Sequence, residues 1–127
     1  MATNYFKKIS FYLLGGLYIM AGINHFWHPD FYLPLIPDYL PFHESINRAG
    51  GIVELLLGVL VFISTTRRLA CYGIIVLLIF FIPSHIYFIQ IGGCVSKDSC
   101  APVWFGWIRL LLIHPLLIYW AYSCRKN

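Results

Sequence analysis

The chain has 127 residues, of which 60% are apolar, 18% aromatic and only 11% charged, with a formal net charge of +4. Water-soluble domains carry about 25% charged residues, so this composition lacks the polar surface to cover a soluble fold. A mean hydropathy of +0.75 excludes a soluble enzyme, a nucleic-acid binder and a secreted disulfide scaffold together, and predicts an integral membrane protein.

Spanning a hydrocarbon core of about 30 Å takes roughly 20 mainly apolar residues per helix. In chain order, the sequence predicts spans over about 9–24, 49–65, 69–90 and 104–122. They form a single transmembrane domain, an all-α four-helix bundle. The first span also has the basic start and small residues of a secretory leader, but it is read as a retained helix. Between the first two spans lies FWHPDFYLPLIPDYLPF, with Pro29, Pro34, Pro37 and Pro41 at close intervals. Proline at that density cannot continue a helix. The segment is predicted as an outer connection whose aromatic rings settle at the membrane–water interface.

Six basic residues, Lys7, Lys8, Arg67, Arg68, Arg125 and Lys126, fall on one side of this four-span arrangement. The opposite side has Arg48 and Lys97 together with Asp30, Asp38, Glu44 and Asp98. Cytoplasmic loops carry the excess of Lys and Arg, so both termini are expected in the cytoplasm. The expected location is a cell membrane of the bacterial inner-membrane type. Topology thereby explains the net charge, and no nucleic-acid partner is called for.

Ionisable residues inside spans are costly and are read by default as functional. Here they are Glu54, His85, Arg109 and His114, with Asn24 and His25 at the outer end of the first span. Glu54, His85 and Arg109 each lie about five residues from the outer boundary, roughly 7–8 Å deep at 1.5 Å per residue. They predict a shared polar layer in which Glu54 pairs with Arg109 or His85, capped by His25 or Asn24. Gly51 and Gly58 share a helix face with Glu54, and Gly15 and Gly22 share one on the first span. Small residues mark close helix contacts in membranes, which directs Glu54 inward. Pro83 and Pro115 would free the carbonyls of Ile79 and Leu111, with Ser84 facing the same layer. Two roles remain open for this layer: a structural clamp, or a clamp that also lines a ligand or proton site formed by His25, Glu54, His85, Arg109 and Asn24. His25, His28 and His43 do not make a metal motif, and no metal site is assigned.

Cys94 and Cys100 flank VSKDS in the outer loop, where disulfides are permitted, and are predicted to be bridged. Cys71 and Cys124 fall near the cytoplasmic boundary. There is no C-x-x-C pair for a disulfide reductase of the vitamin K epoxide type.

The runs AGINHFWHPDFYLPLIPDYLP, GGIVELLLGVLVF, RRLACYGIIVLLIFFIPSHIY and WFGWIRLLL resemble the DoxX-like family of small four-helix membrane proteins. The elements that carry the likeness are His25-Phe26, Glu54 in G-x-x-E, Pro83 and Arg109-Leu110. Relatives in that family are similar to a subunit of an archaeal thiosulfate:quinone oxidoreductase, to MauE-type maturation factors and to eukaryotic membrane-assembly chaperones. The resemblance therefore implies one of two roles. One is a redox-associated membrane subunit with no intrinsic cofactor, binding a quinone or other small hydrophobic molecule at the polar layer. The other is an assembly or accessory factor that meets a partner membrane protein, the polar layer serving as a clamp. A sterol-isomerase-like site would want two intramembrane acids, and only Glu54 qualifies.

Overall fold

A computed structural model describes residues 2–126. Helices account for 79% of it. They are α1 (Ala2–Trp27), a single turn α2 (Pro29–Tyr32), α3 (His43–Phe62), α4 (Arg67–Gln90), α5 (Val103–Ile108) and α6 (His114–Cys124). A wide π turn over Arg109–Ile113 joins α5 and α6 into one continuous helix, Val103–Cys124. Four of these helices are long and apolar enough to cross a membrane: α1, α3, α4 and the α5–α6 helix.

Each long helix starts earlier than the apolar stretch that predicted it, because backbone hydrogen bonding does not stop where polar side chains begin. The clearest case is α3, which starts at His43 rather than near residue 49. Its first two turns are polar, with Glu44 and Arg48 in an exposed i,i+4 pair at 3.8 Å. It ends at Phe62 because Ile63 turns to an extended backbone (φ −88°, ψ 118°). α1 stops before Pro29, whose ring disfavours a helical residue ahead of it. The proline-rich connection is not wholly irregular. Pro29 opens α2 from its first position, where the missing N–H costs nothing, and a 3-10 turn follows at Leu33–Leu35.

α1 packs along α3, α3 on α4 and α4 on α6, with a slighter contact between α1 and α6. The α1–α3 seam depends on glycine. A Cβ at Gly22 would lie 2.7 Å from the Gly51 carbonyl oxygen, and one at Gly58 would lie 2.9 Å from that of Gly15. These contacts are seven residues apart on each antiparallel helix, about two turns, so the two backbones touch twice and their register is set. Near the α3–α4 turn the bundle is densely filled by Leu14, Val61, Cys71, Ile74 and Ala121, all with essentially no exposure.

Arg67 belongs to this dense half. Its Nε donates to the Val61 carbonyl (2.8 Å), its Nη2 to that of Phe62 (3.2 Å), and its guanidinium lies 3.7 Å above the Phe11 ring. The last carbonyls of α3, left without helical partners, are thus capped by a buried cation that suits the negative helix end.

At the opposite end, α4 leads through Gly92 and Gly93, both at positive φ, into a hairpin of β1 (Cys94–Ser96) and β2 (Ser99–Cys100). The Gly93 carbonyl accepts from the Ala101 N–H, and a Cβ on Gly93 would collide with the Ala101 oxygen. Cys94 and Cys100 are disulfide-bonded, the expected pairing, while Cys71 and Cys124 are free and buried. The outer faces of the long helices are covered with large apolar side chains, among them Leu13, Met20, Leu56, Phe80 and Tyr119.

Candidate functional site

The half of the bundle nearest the proline-rich connection is hollow. A cavity of about 520 Å³ lies there, walled by α1, α3, α4 and the α5–α6 helix. Its lining is mostly apolar, from Leu17, Leu35, Ile36, Phe81 and Leu117. Into it come the polar groups of His25, Asn47, Glu54, His85, Arg109 and His114.

The connection roofs the cavity. Leu35, Ile36 and Pro37 are buried, and two side chains fasten them. Ser84 donates its hydroxyl hydrogen to the Leu35 carbonyl at 2.8 Å, and His43 Nε2 donates to that of Pro37 at 3.2 Å. Ser84 does line the cavity, as its place beside Pro83 implied, but its hydrogen bond is spent on holding the roof.

The glycine register places the first polar group. His25 follows Gly22 by three residues and Glu54 follows Gly51 by three, so the Gly22–Gly51 contact brings both to one level. Gly51 leaves the room: a Cβ there would sit 2.8 Å from the Cβ of His25. His25 Nε2 lies 3.2 Å from Glu54 Oε2, and both side chains are more than nine-tenths buried. Asn47 completes the group. Its Nδ2 donates to the His25 backbone carbonyl (3.0 Å), which leaves its Oδ1 facing His25 Nδ1 at 2.7 Å. A face of the ring is covered by Tyr32, stacked at 3.8 Å between centroids.

Two expectations are corrected here. Glu54 was expected to pair with Arg109 or His85, but its partner is His25, because the α1–α3 contact is far closer than the approach of α3 to the α5–α6 helix. His25 or Asn24 was expected to cap the layer, with Asn24 counted among the site residues; His25 is in the layer, Asn24 is not. Asn24 instead donates to the Tyr32 hydroxyl at 2.8 Å and lies outside the main cavity. It is one residue before His25, about 100° around the helix, and so it faces the connection. Asn47 escaped the sequence reading, having been placed outside the second span. The available signal was its position four residues before Gly51 and seven before Glu54, on the same face.

The second polar group is on the opposite wall. His114 donates from Nε2 to the Leu78 carbonyl, and the His85 and His114 rings meet edge-to-face at 4.7 Å. The guanidinium of Arg109 lies 5.6 Å and 5.9 Å from the ring centres of Phe88 and Phe105. Among the described residues no carboxylate comes within ion-pair distance of it. In a regular α-helix, residues five apart are turned about 140° from one another. The π turn changes this: the His114 N–H donates five residues back to the Arg109 carbonyl, and the widened turn carries both side chains to the cavity wall. Pro115 favours the bulge, since it cannot donate to Leu111 and its ring crowds that carbonyl. Such single wide turns are frequent at functional sites.

Among the described residues, one buried side-chain polar atom stays unsatisfied. Glu54 Oε2 approaches His25 at ion-pair distance but has no aligned hydrogen bond, and it is buried. The cavity therefore has an acceptor wall at Glu54 and a donor wall at Arg109, with apolar surface between.

No curated protein and no solved structure matches the chain. A family model described as Domain of unknown function (DUF8561) matches residues 14–125. That span runs from the middle of α1 through the other three long helices and takes in the roof and every polar group of the cavity, and the chain belongs to this family.

Proposed function

We propose that this is an integral membrane protein that binds a small, largely apolar molecule, of the quinone class, in the cavity between its four spans. The observation that carries the reading is that Glu54, in its buried pair with His25, and Arg109, with no carboxylate within ion-pair distance among the described residues, both line one apolar cavity of about 520 Å³. Buried polar atoms in folded proteins nearly always have a partner, and ligand pockets fall in the range of about 300–1,000 Å³, apolar with a few convergent polar groups. A quinone suits such walls: its ring and tail fill the apolar space while an oxygen accepts from Arg109. This chain's side chains supply hydrogen bonds and proton positions. Electrons would reside on the quinone and on a partner membrane protein.

The membrane placement rests on length and surface. Each long helix covers the hydrocarbon core at 1.5 Å per residue, and side chains such as Phe80, 74% exposed, are suited to lipid rather than water. The arrangement of Lys and Arg supports both termini and the Arg67–Arg68 turn on the cytoplasmic side, with the roof and hairpin outside. The DoxX-like affinity is part of the same proposal and rests on His25-Phe26, Glu54, Pro83 and Arg109-Leu110.

The test is quinone binding to the protein in lipid nanodiscs, compared with Ala21→Trp, which fills the cavity from α1. Saturable binding by the native chain and its loss in Ala21→Trp are expected. Equal binding by both would place the quinone elsewhere.

A further inference from the structure

The proton arrangement around His25 narrows the chemistry of what the cavity accepts. A backbone carbonyl can only accept a hydrogen bond, so the atom of Asn47 facing the His25 carbonyl is its amide nitrogen, and the atom facing His25 Nδ1 is its oxygen. That oxygen in turn can only accept. Nδ1 of His25 therefore carries a hydrogen, and Nε2 is the nitrogen presented to Glu54. Neutrality assigns this pair one proton, either on the ring beside a carboxylate or on the carboxyl beside a neutral ring. Both forms have the same net charge of zero. Losing that proton would bury a net negative charge, and adding one a net positive charge, each costly in an apolar surrounding. With that proton held within the His25–Glu54 pair, the remaining lone pairs of the carboxyl group are what Glu54 offers to the cavity. They accept and cannot donate.

We infer that the cavity takes its ligand through a hydroxyl group, phenolic in the simplest case, donated to Glu54, and that Asn47 is the positioning residue that makes Glu54 an acceptor. This rests on the reading of the cavity as a ligand site. A carbonyl or ether oxygen can face Arg109, but against Glu54 it sets lone pair against lone pair and leaves the buried acceptor unsatisfied. A hydroxyl satisfies it. Among molecules of one shape, the cavity therefore prefers the reduced, hydroxyl-bearing form over the carbonyl or alkylated form.

A pair of probes that differ only in the donor tests this: 4-pentylphenol and its methyl ether, titrated against the protein in nanodiscs and corrected for partition into empty discs. The native protein is expected to bind the phenol at least about tenfold more tightly, the scale of leaving one buried acceptor unpaired. This comparison needs no variant. In Glu54→Gln the amide both donates and accepts, and the preference is expected to fall to within about threefold while the ether still binds. In Asn47→Leu the Nδ1 hydrogen loses its acceptor, and the preference is expected to fall while ether affinity stays within about threefold of native. Protection of the buried Cys71 and Cys124 from alkylation under native conditions checks that each variant is folded. Equal binding of phenol and ether by the native protein would overturn the inference and leave the cavity reading standing. An unchanged preference in Asn47→Leu would remove Asn47 from its role. Binding of neither probe, together with no quinone binding, would overturn both.

Discussion

His25 and Glu54 face each other across the α1–α3 seam at 3.2 Å, each buried, with Asn47 holding the far side of the imidazole. Removing one member strands the other in an apolar interior, whereas removing both does not. Breaking a buried pair costs about 3–5 kcal/mol. His25→Leu and Glu54→Leu are each expected to destabilise the protein on that scale, and the double variant by clearly less than the sum. Unfolding in detergent, read as a double-mutant cycle, measures the coupling; additive effects would show that the pair does not act as a unit.

The glycine seam makes a sharper contrast between neighbours. A Cβ at Gly22 would meet the Gly51 carbonyl, yet one at Gly16 meets nothing within 4 Å. Gly22→Ala is expected to cost at least about 1–3 kcal/mol through overpacking. Gly16→Ala should be neutral or stabilising by up to about 1 kcal/mol, since alanine is the better helix residue. Thermal unfolding of the two variants side by side checks this.

Arg67 and Arg68 are adjacent but not equivalent. Arg67 is buried and bonded to two carbonyls, while Arg68 is exposed. Arg67→Ala is expected to lower stability by about 3 kcal/mol, from charge-assisted hydrogen bonds of about 1.5–3 kcal/mol each and the lost contact with Phe11. Arg68→Ala should change it by less than about 0.5 kcal/mol.

Cysteine chemistry tests both the loop and the orientation. Alkylation of the denatured, unreduced protein is expected to label Cys71 and Cys124 and to spare Cys94 and Cys100. Cys124 is buried and so a poor topological probe. Lys97→Cys and Ser64→Cys place thiols in exposed turns at opposite ends of the bundle. In intact cells a membrane-impermeant maleimide should reach position 97 directly and position 64 only after permeabilisation. The reverse pattern would invert the topology.

Much of this architecture was legible because bilayer-scale apolar length is a one-dimensional signal. The four long helices and the glycine faces follow from periodicity within single helices. The contacts between helices do not. Glu54 has two candidate partners at similar depth, and the choice of His25 depends on which pair of helices comes closest, which the glycines on both seams settle only when read together. Asn47 was hidden by treating the end of apolar character as the end of the helix. Arg67 read as a loop charge because nothing local reveals that its side chain folds back onto α3. The π turn was implied by Pro115 as a freed carbonyl, but not as a widened turn.

That turn gives the last helix two independently phased halves. Before it, Gly106 seats the helix on α4, where a Cβ would strike Phe88 and Ile89. After it, His114 is anchored to Leu78. The π turn stores the equivalent of one inserted residue between these two anchors. Deleting a single residue from 111–113 would let the helix revert to regular winding with both anchors in place, Arg109 and His114 then standing four apart and about 40° around the axis. The same deletion in a regularly wound stretch, between Gly106 and Arg109, would instead rotate one side by about 100° relative to the other. The last helix thus has one place where a residue can be removed without turning the donor wall away from the cavity.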